Sequence, residues 1–212
     1  MKDVTRDSLK AFDLKLEQPA RGPRFSLDPL LLAFFVAGFS PRRVMDLGSG
    51  VGVAGLVLSR RCPALSHLEL VEIQDRLAEM ARANVRANAR DGVRIQVRQE
   101  DARYVMCRVP PDIVMSNPPY RDFRTGRVSP APDRAIARHW YFMRPDALLR
   151  SAVRLLAPEG KLCLVLPAAG MASWREMIVS AGFGIQVSWP VQASRSVPPS
   201  LFLVACGREP GS

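Results

Sequence analysis

Lysine is nearly absent from this chain: it stands only at positions 2, 10, 15 and 161, although Lys and Arg together number 30. The formal charge of +10 is therefore carried by arginine. A basic surface attracts polyanions and raises their encounter rate. Genomic base composition also enriches arginine, so charge by itself does not decide for a nucleic-acid partner. The four cysteines, Cys62, Cys107, Cys163 and Cys206, are far apart. That excludes a CxxC metal or redox pair and fits small apolar residues kept reduced. No cluster of metal-ligand residues stands out, and no metal is expected. No apolar run reaches the ~18–20 residues of a membrane-spanning helix. The longest, Pro29 to Phe39, follows polar and acidic residues rather than a cationic leader, so neither a signal peptide nor a membrane partner is expected and the chain is assigned to the cytoplasm.

What remains is 212 residues, 48% hydrophobic and 24% charged, sufficient for one domain with a sizeable core. Residues 1–27 are polar and broken by Pro19, Gly22 and Pro23, and read as irregular. Asp28-Pro29 opens an apolar helix to about Phe39, with Asp28 as its cap. Strands and helices then alternate: strand Arg43–Leu47, helix Val53–Arg60, strand His67–Ile73, helix Gln74–Arg90, edge strand Val93–Arg98 and strand Asp112–Ser116. Residues 120–138 are rich in Arg, Pro, Ser and Thr and read as a mobile substrate loop. Helix Pro145–Leu156, strand Lys161–Leu166 and helix Ala169–Ala181 follow. Strands Ile185–Trp189 and Ser200–Ala205 have no helix between them, so the last strand must run antiparallel. The expectation is a doubly wound, mostly parallel seven-stranded α/β sheet of Rossmann type in a single domain over 1–212: a segment and helix over 1–40, then a core over 41–206.

The turn after the first core strand reads Asp46-Leu47-Gly48-Ser49-Gly50-Val51-Gly52. Its glycines let backbone approach a ligand, and the helix behind offers unpaired amides. Gly50 to Gly55 also fits GxGxxG, so a dinucleotide competes with S-adenosylmethionine. Asp46 decides between them: a carboxylate before the glycines suits an ammonium group and repels a pyrophosphate. Glu72, with Ile73 beside it, closes the next strand where it could take both ribose hydroxyls. Asp101 could accept from an adenine amino group and the Ala102 amide could donate to the ring, with a helix cap as the alternative for Asp101.

Asn117-Pro118-Pro119-Tyr120 ends the fourth core strand, at the sheet edge where ligands bind in this architecture. An exocyclic amine on an aromatic ring is a poor nucleophile because its lone pair is delocalised. The Asn117 amide oxygen and the Pro118 carbonyl are suited to hold its N–H bonds out of plane, and Pro118-Pro119 fixes the backbone that presents them. Tyr120 could stack on the base. Methyl transfer then needs alignment rather than a strong base. Arg121, Arg124, Arg127, Arg134 and Arg138 are candidates for phosphate contacts, whereas Arg82, Arg86 and Arg90 read as a solvated helix face.

These two motifs resemble the class I methyltransferases that modify amino groups of bases or of glutamine. Gln18 to Asp28, Leu30-Leu31-Leu32-Ala33, Gly126 to Pro130 and Ala135 to His139 further resemble the bacterial tRNA adenine-N6 methyltransferases acting on valine tRNA. The resemblance implies that Arg24, Phe25 and Asp28 contact S-adenosylmethionine or close its pocket; they join the cofactor-site residues expected from the motifs, Asp46, Gly48, Ser49, Gly50, Gly52, Glu72, Ile73, Asp101, Ala102 and Asn117. The chain departs from that group at Pro23, where an aromatic is usual, and at Trp140, where many members carry an acid.

The expected activity is S-adenosylmethionine-dependent N6-methylation of adenine in RNA, with tRNA as partner. The rivals are N-methylation of a protein glutamine, methylation of guanine or cytosine amino groups in ribosomal RNA, and a non-catalytic nucleic-acid-binding protein on the same fold. No oligomeric state follows from the sequence.

Overall fold

Strands that alternate with helices become covered on both faces, so their side chains are apolar in both directions. The computed structural model describes residues 4–20, 26–88, 90–118 and 144–208, and it has this arrangement. Its strands are β1 (Val4–Leu9), β2 (Leu14–Pro19), β3 (Arg43–Leu47), β4 (His67–Val71), β5 (Arg94–Arg98), β6 (Ile113–Ser116), β7 (Lys161–Pro167), β8 (Phe183–Val191) and β9 (Leu201–Arg208). Its helices are α1 (Asp28–Ala37), α2 (Val53–Arg61), α3 (Asp75–Ala87), α4 (Pro145–Leu155) and α5 (Met171–Ser180). The main sheet has seven strands in the order β5-β4-β3-β6-β7-β9-β8. β3 pairs in parallel with β4 and β6, β4 with β5, and β6 with β7, whereas β9 is antiparallel to both β7 and β8. The expected Rossmann-like sheet with a reversed last strand is thus the observed one.

Alternation along each strand divides the core in two. Val44, Leu68, Leu70, Ile113, Met115, Cys163 and Val165 face α1, α2 and α3, where they meet Leu32, Phe35, Leu56 and Met80. Met45, Leu47, Val71, Val114, Leu162, Leu164 and Leu166 face α4 and α5, where they meet Leu148, Leu155, Trp174 and Ile178. Gly55 on α2 shows how close the layers come. A Cβ there would lie 2.5 Å from a methyl of Leu70, so a larger residue would have to push that side chain or the helix off its seat on β4.

Three local readings are corrected. The N-terminal segment is an antiparallel hairpin: β1 and β2 pair from Val4 with Pro19 to Leu9 with Leu14. Leu14 and Leu16, buried with Lys15 exposed between them, are its period-two signal. Asp28 is the first residue of α1 rather than its cap. Leu27 holds the cap position and its carbonyl accepts from the amides of Leu30 and Leu31, leaving the Asp28 carboxylate to face the helix dipole. α3 ends at Ala87 rather than at Arg90, because the Asn88 side chain turns back to donate to the Asn84 carbonyl (2.7 Å). Arg90 therefore leaves the helix face and donates to the Ser59 carbonyl of α2.

Among the described residues the second edge of β2 has no neighbouring strand, and Asn84 of α3 and Asn88, which caps its C-terminus, take that place. Asn88 accepts from the Lys15 amide (2.9 Å) and donates to the Lys15 carbonyl (2.7 Å). Asn84 accepts from the Glu17 amide (2.6 Å) and donates to the Glu17 carbonyl (2.9 Å). The Asn84 amide group also donates to the Val51 carbonyl (2.9 Å), in the glycine turn. Both asparagines are buried. Removing Asn84 leaves buried backbone groups unpaired, each worth about 1–3 kcal/mol. Asn84→Ala is expected to destabilise the protein by about 2–4 kcal/mol in urea unfolding, against under 1 kcal/mol for Arg86→Ala on the exposed face of the same helix.

Candidate active site

Parallel pairing sets the strand ends side by side. Asp46 of β3 is level with Leu70 of β4 and Met115 of β6, so Glu72 and Asn117 follow at the same edge of the sheet. Ser116 reinforces the β3–β6 junction by donating its hydroxyl to the Leu47 carbonyl (2.7 Å). The chain then turns through Gly48, Gly50 and Gly52, with φ of 74°, 58° and 85°. Gly52 is constrained twice, by its left-handed φ and by a Leu70 methyl that a Cβ would meet at 2.9 Å.

The turn is held from β4. The Gly48 and Ser49 amides both donate to the Val71 carbonyl (2.9 and 3.0 Å). The Glu72 carboxylate, buried at 1% exposure, accepts from the Gly50 amide (2.9 Å) through one oxygen and from the Gln74 amide (2.8 Å) through the other. Each carboxylate oxygen can accept a second bond. Glu72 therefore builds the turn and keeps acceptor capacity for a ligand hydroxyl. Its role in the turn was not legible in the sequence, which pointed only to a ribose contact. Ile73, half-buried, follows it.

Asp46 is the anomaly of the site. It is buried at 2% exposure, and its Oδ2 has no hydrogen-bond partner among the described residues. Burial, and secondarily the charge of Glu72, push its carboxyl up to about 8. The Ser49 hydroxyl is likewise buried without a partner there. A buried polar atom left without a partner is costly unless something else pairs it. A ligand cation would pair Asp46, and a ligand polar group would pair Ser49. The donor set thus fits the ammonium and carboxylate of an amino acid, the methionine end of S-adenosylmethionine.

Asn117 is half-buried and Pro118 is buried, one strand across from Gly48. Asp101 begins the turn after β5. Its carboxylate accepts from the amide of Arg103 (2.9 Å) and from its guanidinium (2.6 Å to Nη2), and its carbonyl accepts from Tyr104 and Val105. Asp101 thus caps a turn, with no helix following it among the described residues, and Ala102 is buried beside it. Asp28 is half-buried at the start of α1. Arg24, Phe25, Pro119, Tyr120, Arg121, Arg124, Arg127 and Arg138 lie outside the described residues, as does the whole 120–138 segment.

The sequence matches the methyltransferase small domain family over residues 28–173. It is 31% identical over 196 residues to a tRNA1(Val) (adenine(37)-N6)-methyltransferase of Tolumonas auensis, covering 92% of this chain and 81% of that one. It is 34% identical over 161 residues to the protein of the same name from Phocaeicola vulgatus, covering 76% of this chain and 66% of that one. Among solved structures it is similar in fold to M. jannaschii TYW2 in complex with AdoMet, at 12% identity and a TM-score of 0.60, covering 99% of this chain and 88% of that one.

The raised Asp46 carboxyl has a stability consequence. The folded state keeps a proton that the unfolded state has released, so this contribution is complete below about pH 4 and is lost as pH rises towards about 8. Asp46→Asn removes that loss. The variant is expected to melt at least as high as the parent, with the gap widening from about pH 4 to 8 and level above that, while binding S-adenosylmethionine at least ~10-fold more weakly. Thermal unfolding against pH and binding calorimetry check both; a variant that melts lower at every pH and binds normally removes Asp46 from the ligand site.

Proposed function

We propose a function from one premise: the chain belongs to the methyltransferase small domain family, and it is an S-adenosylmethionine-dependent methyltransferase. Its reaction is N6-methylation of adenine in RNA, with tRNA as the substrate class. The observation that carries this reading is the adjacency, across one strand pairing, of an unpartnered buried carboxylate at Asp46 and the amide and carbonyl oxygens of Asn117-Pro118. The relatives named tRNA1(Val) (adenine(37)-N6)-methyltransferase support adenine over other amino-bearing targets.

S-adenosylmethionine supplies, when bound, a methyl group activated by sulfonium. The chain's own residues bind and orient. Asp46 takes the ammonium, Ser49 and the turn at Gly48, Gly50 and Gly52 receive the methionine end, and Glu72 offers its remaining acceptor capacity to ribose hydroxyls. Ile73 and Ala102 flank the adenine, and Asp101 reaches that adenine only if Arg103 releases it. Arg24, Phe25 and Asp28 close the pocket from the N-terminal side.

On the substrate side, the Asn117 oxygen and the Pro118 carbonyl accept the two N–H bonds of the target amine. That pulls its lone pair out of conjugation with the ring. Pro119 stiffens the segment, and Tyr120 stacks on the base. Arg121, Arg124, Arg127 and Arg138 neutralise phosphates on either side. The whole of 1–212 acts as one methyltransferase unit, with 120–138 as its substrate loop. No helix among the described residues is long and apolar enough to cross a membrane, and a tRNA substrate places the work in the cytoplasm.

Asn117→Ala is expected to lower kcat by ~100-fold or more while leaving S-adenosylmethionine affinity within about two-fold. Single-turnover methylation and calorimetry separate the two effects. The substrate class is tested by incubating the protein with methyl-labelled cofactor and separate pools of tRNA, ribosomal RNA, DNA and protein. Label recovered as N6-methyladenosine from tRNA is the expected product. Label in N2-methylguanosine or in methylglutamine would transfer the assignment to a rival.

A further inference from the structure

Three strands away from Asn117 stands an aromatic ring that the core does not need. Trp189 of β8 is 55% exposed, unlike the core residue Trp174. Its ring nevertheless has a fixed seat. It meets Phe35 of α1 edge to face, with centroids 5.1 Å apart, and Phe35 is braced in turn by Phe39 at 5.3 Å. A ring held on one side and open on the other is a rigid stacking surface.

The sheet register sets its height. Trp189 pairs with Leu203 of β9, Leu203 with Val165 of β7, and Leu164 with Ser116 of β6. Trp189 is therefore level with Asn117 and about 14 Å from it along the sheet, three strand spacings. β8 runs parallel to β7, so the segment after it, residues 192–200, lies at the same sheet edge as the glycine turn. Residues 192–198 are all exposed and carry Arg195. From Phe183 to Arg208 there is no Asp or Glu.

We propose that Trp189 and Arg195 form a second nucleic-acid contact, in which the indole stacks on an unpaired base neighbouring the target adenine and the guanidinium meets a backbone phosphate. The proposal rests on the RNA reading above and adds the surface that grips the substrate outside the catalytic pocket. Stacking on an aromatic is sequence-tolerant and a phosphate contact is salt-dependent, so this surface contributes affinity and leaves base selection to the pocket. An acid-free segment beside a single seated indole fits single-stranded RNA.

The test uses the full chain with unfractionated tRNA and with a labelled anticodon stem-loop. Trp189→Ala is expected to raise KM for tRNA about 10-fold, with kcat at saturation and S-adenosylmethionine affinity within two-fold of the parent. Trp189→Phe, which keeps a ring against Phe35, should recover most of the loss. Arg195→Glu, on an exposed segment where folding is not at issue, should weaken RNA binding about 10-fold and flatten its dependence on salt by about one phosphate contact. A parent that methylates RNA, with Trp189→Ala and Arg195→Glu both unchanged in KM, overturns this surface and leaves the function reading intact. Parallel loss of cofactor and RNA affinity in Trp189→Ala, with Arg195→Glu unchanged, also overturns it, since Trp189 would then only brace α1. A parent that neither binds nor methylates RNA overturns both.

Discussion

Two carboxylates share one buried corner, and only one of them is satisfied. Glu72 accepts the Gly50 and Gln74 amides, and this fixes the path of the glycine turn after β3. Asp46, next door, has an oxygen with no partner among the described residues and holds its proton to about pH 8. The arrangement costs stability in the absence of ligand and becomes favourable once a cation enters. Around this corner the strand pairings do the rest. β4 delivers Glu72, β6 delivers Asn117, and parallel register brings both to the same edge as Asp46, with the Ser116 hydroxyl on the Leu47 carbonyl and the Glu72 carboxylate on the Gly50 amide fastening the strand ends. The site is preorganised by sheet geometry, with the ligand supplying the charge it lacks.

Legibility in the sequence followed the strength of local patterning. β3 was readable to the residue, because an apolar run meets an acid and then glycines. The reversed last strand was readable because no helix stands between β8 and β9. The hairpin was missed because its signal is only two buried leucines, Leu14 and Leu16, within a polar stretch. Asn84 and Asn88 were missed for a different reason. Their role depends on backbone about seventy positions earlier, and asparagine at helical spacing carries no periodic cue of that. The end of α3 was misjudged with them, since the residue that stops the helix is Asn88 and not the Asp91-Gly92 turn.

At the site, residue types were legible and partnerships were not. Asp46, the glycines and Glu72 announce a ligand turn by type and order. That Glu72 spends two acceptor positions on the turn itself, and that Asp101 is gripped by Arg103, are facts of three-dimensional proximity. Trp189 was likewise silent, because one tryptophan in a strand reads as core until its exposure is known.

The sealing of β2 by α3 reverses the usual order of completion along a chain. The hairpin is synthesised before α3, yet the groups that satisfy the β2 edge, Asn84 and Asn88, lie 67 and 73 residues downstream of Glu17 and Lys15. At ~5–20 residues per second of synthesis, that edge stays unpaired for several seconds or more. An open strand edge is a template for pairing with another chain. The exposed Lys15 on that strand and the six-residue span of each hairpin strand are features that oppose such pairing until α3 is made.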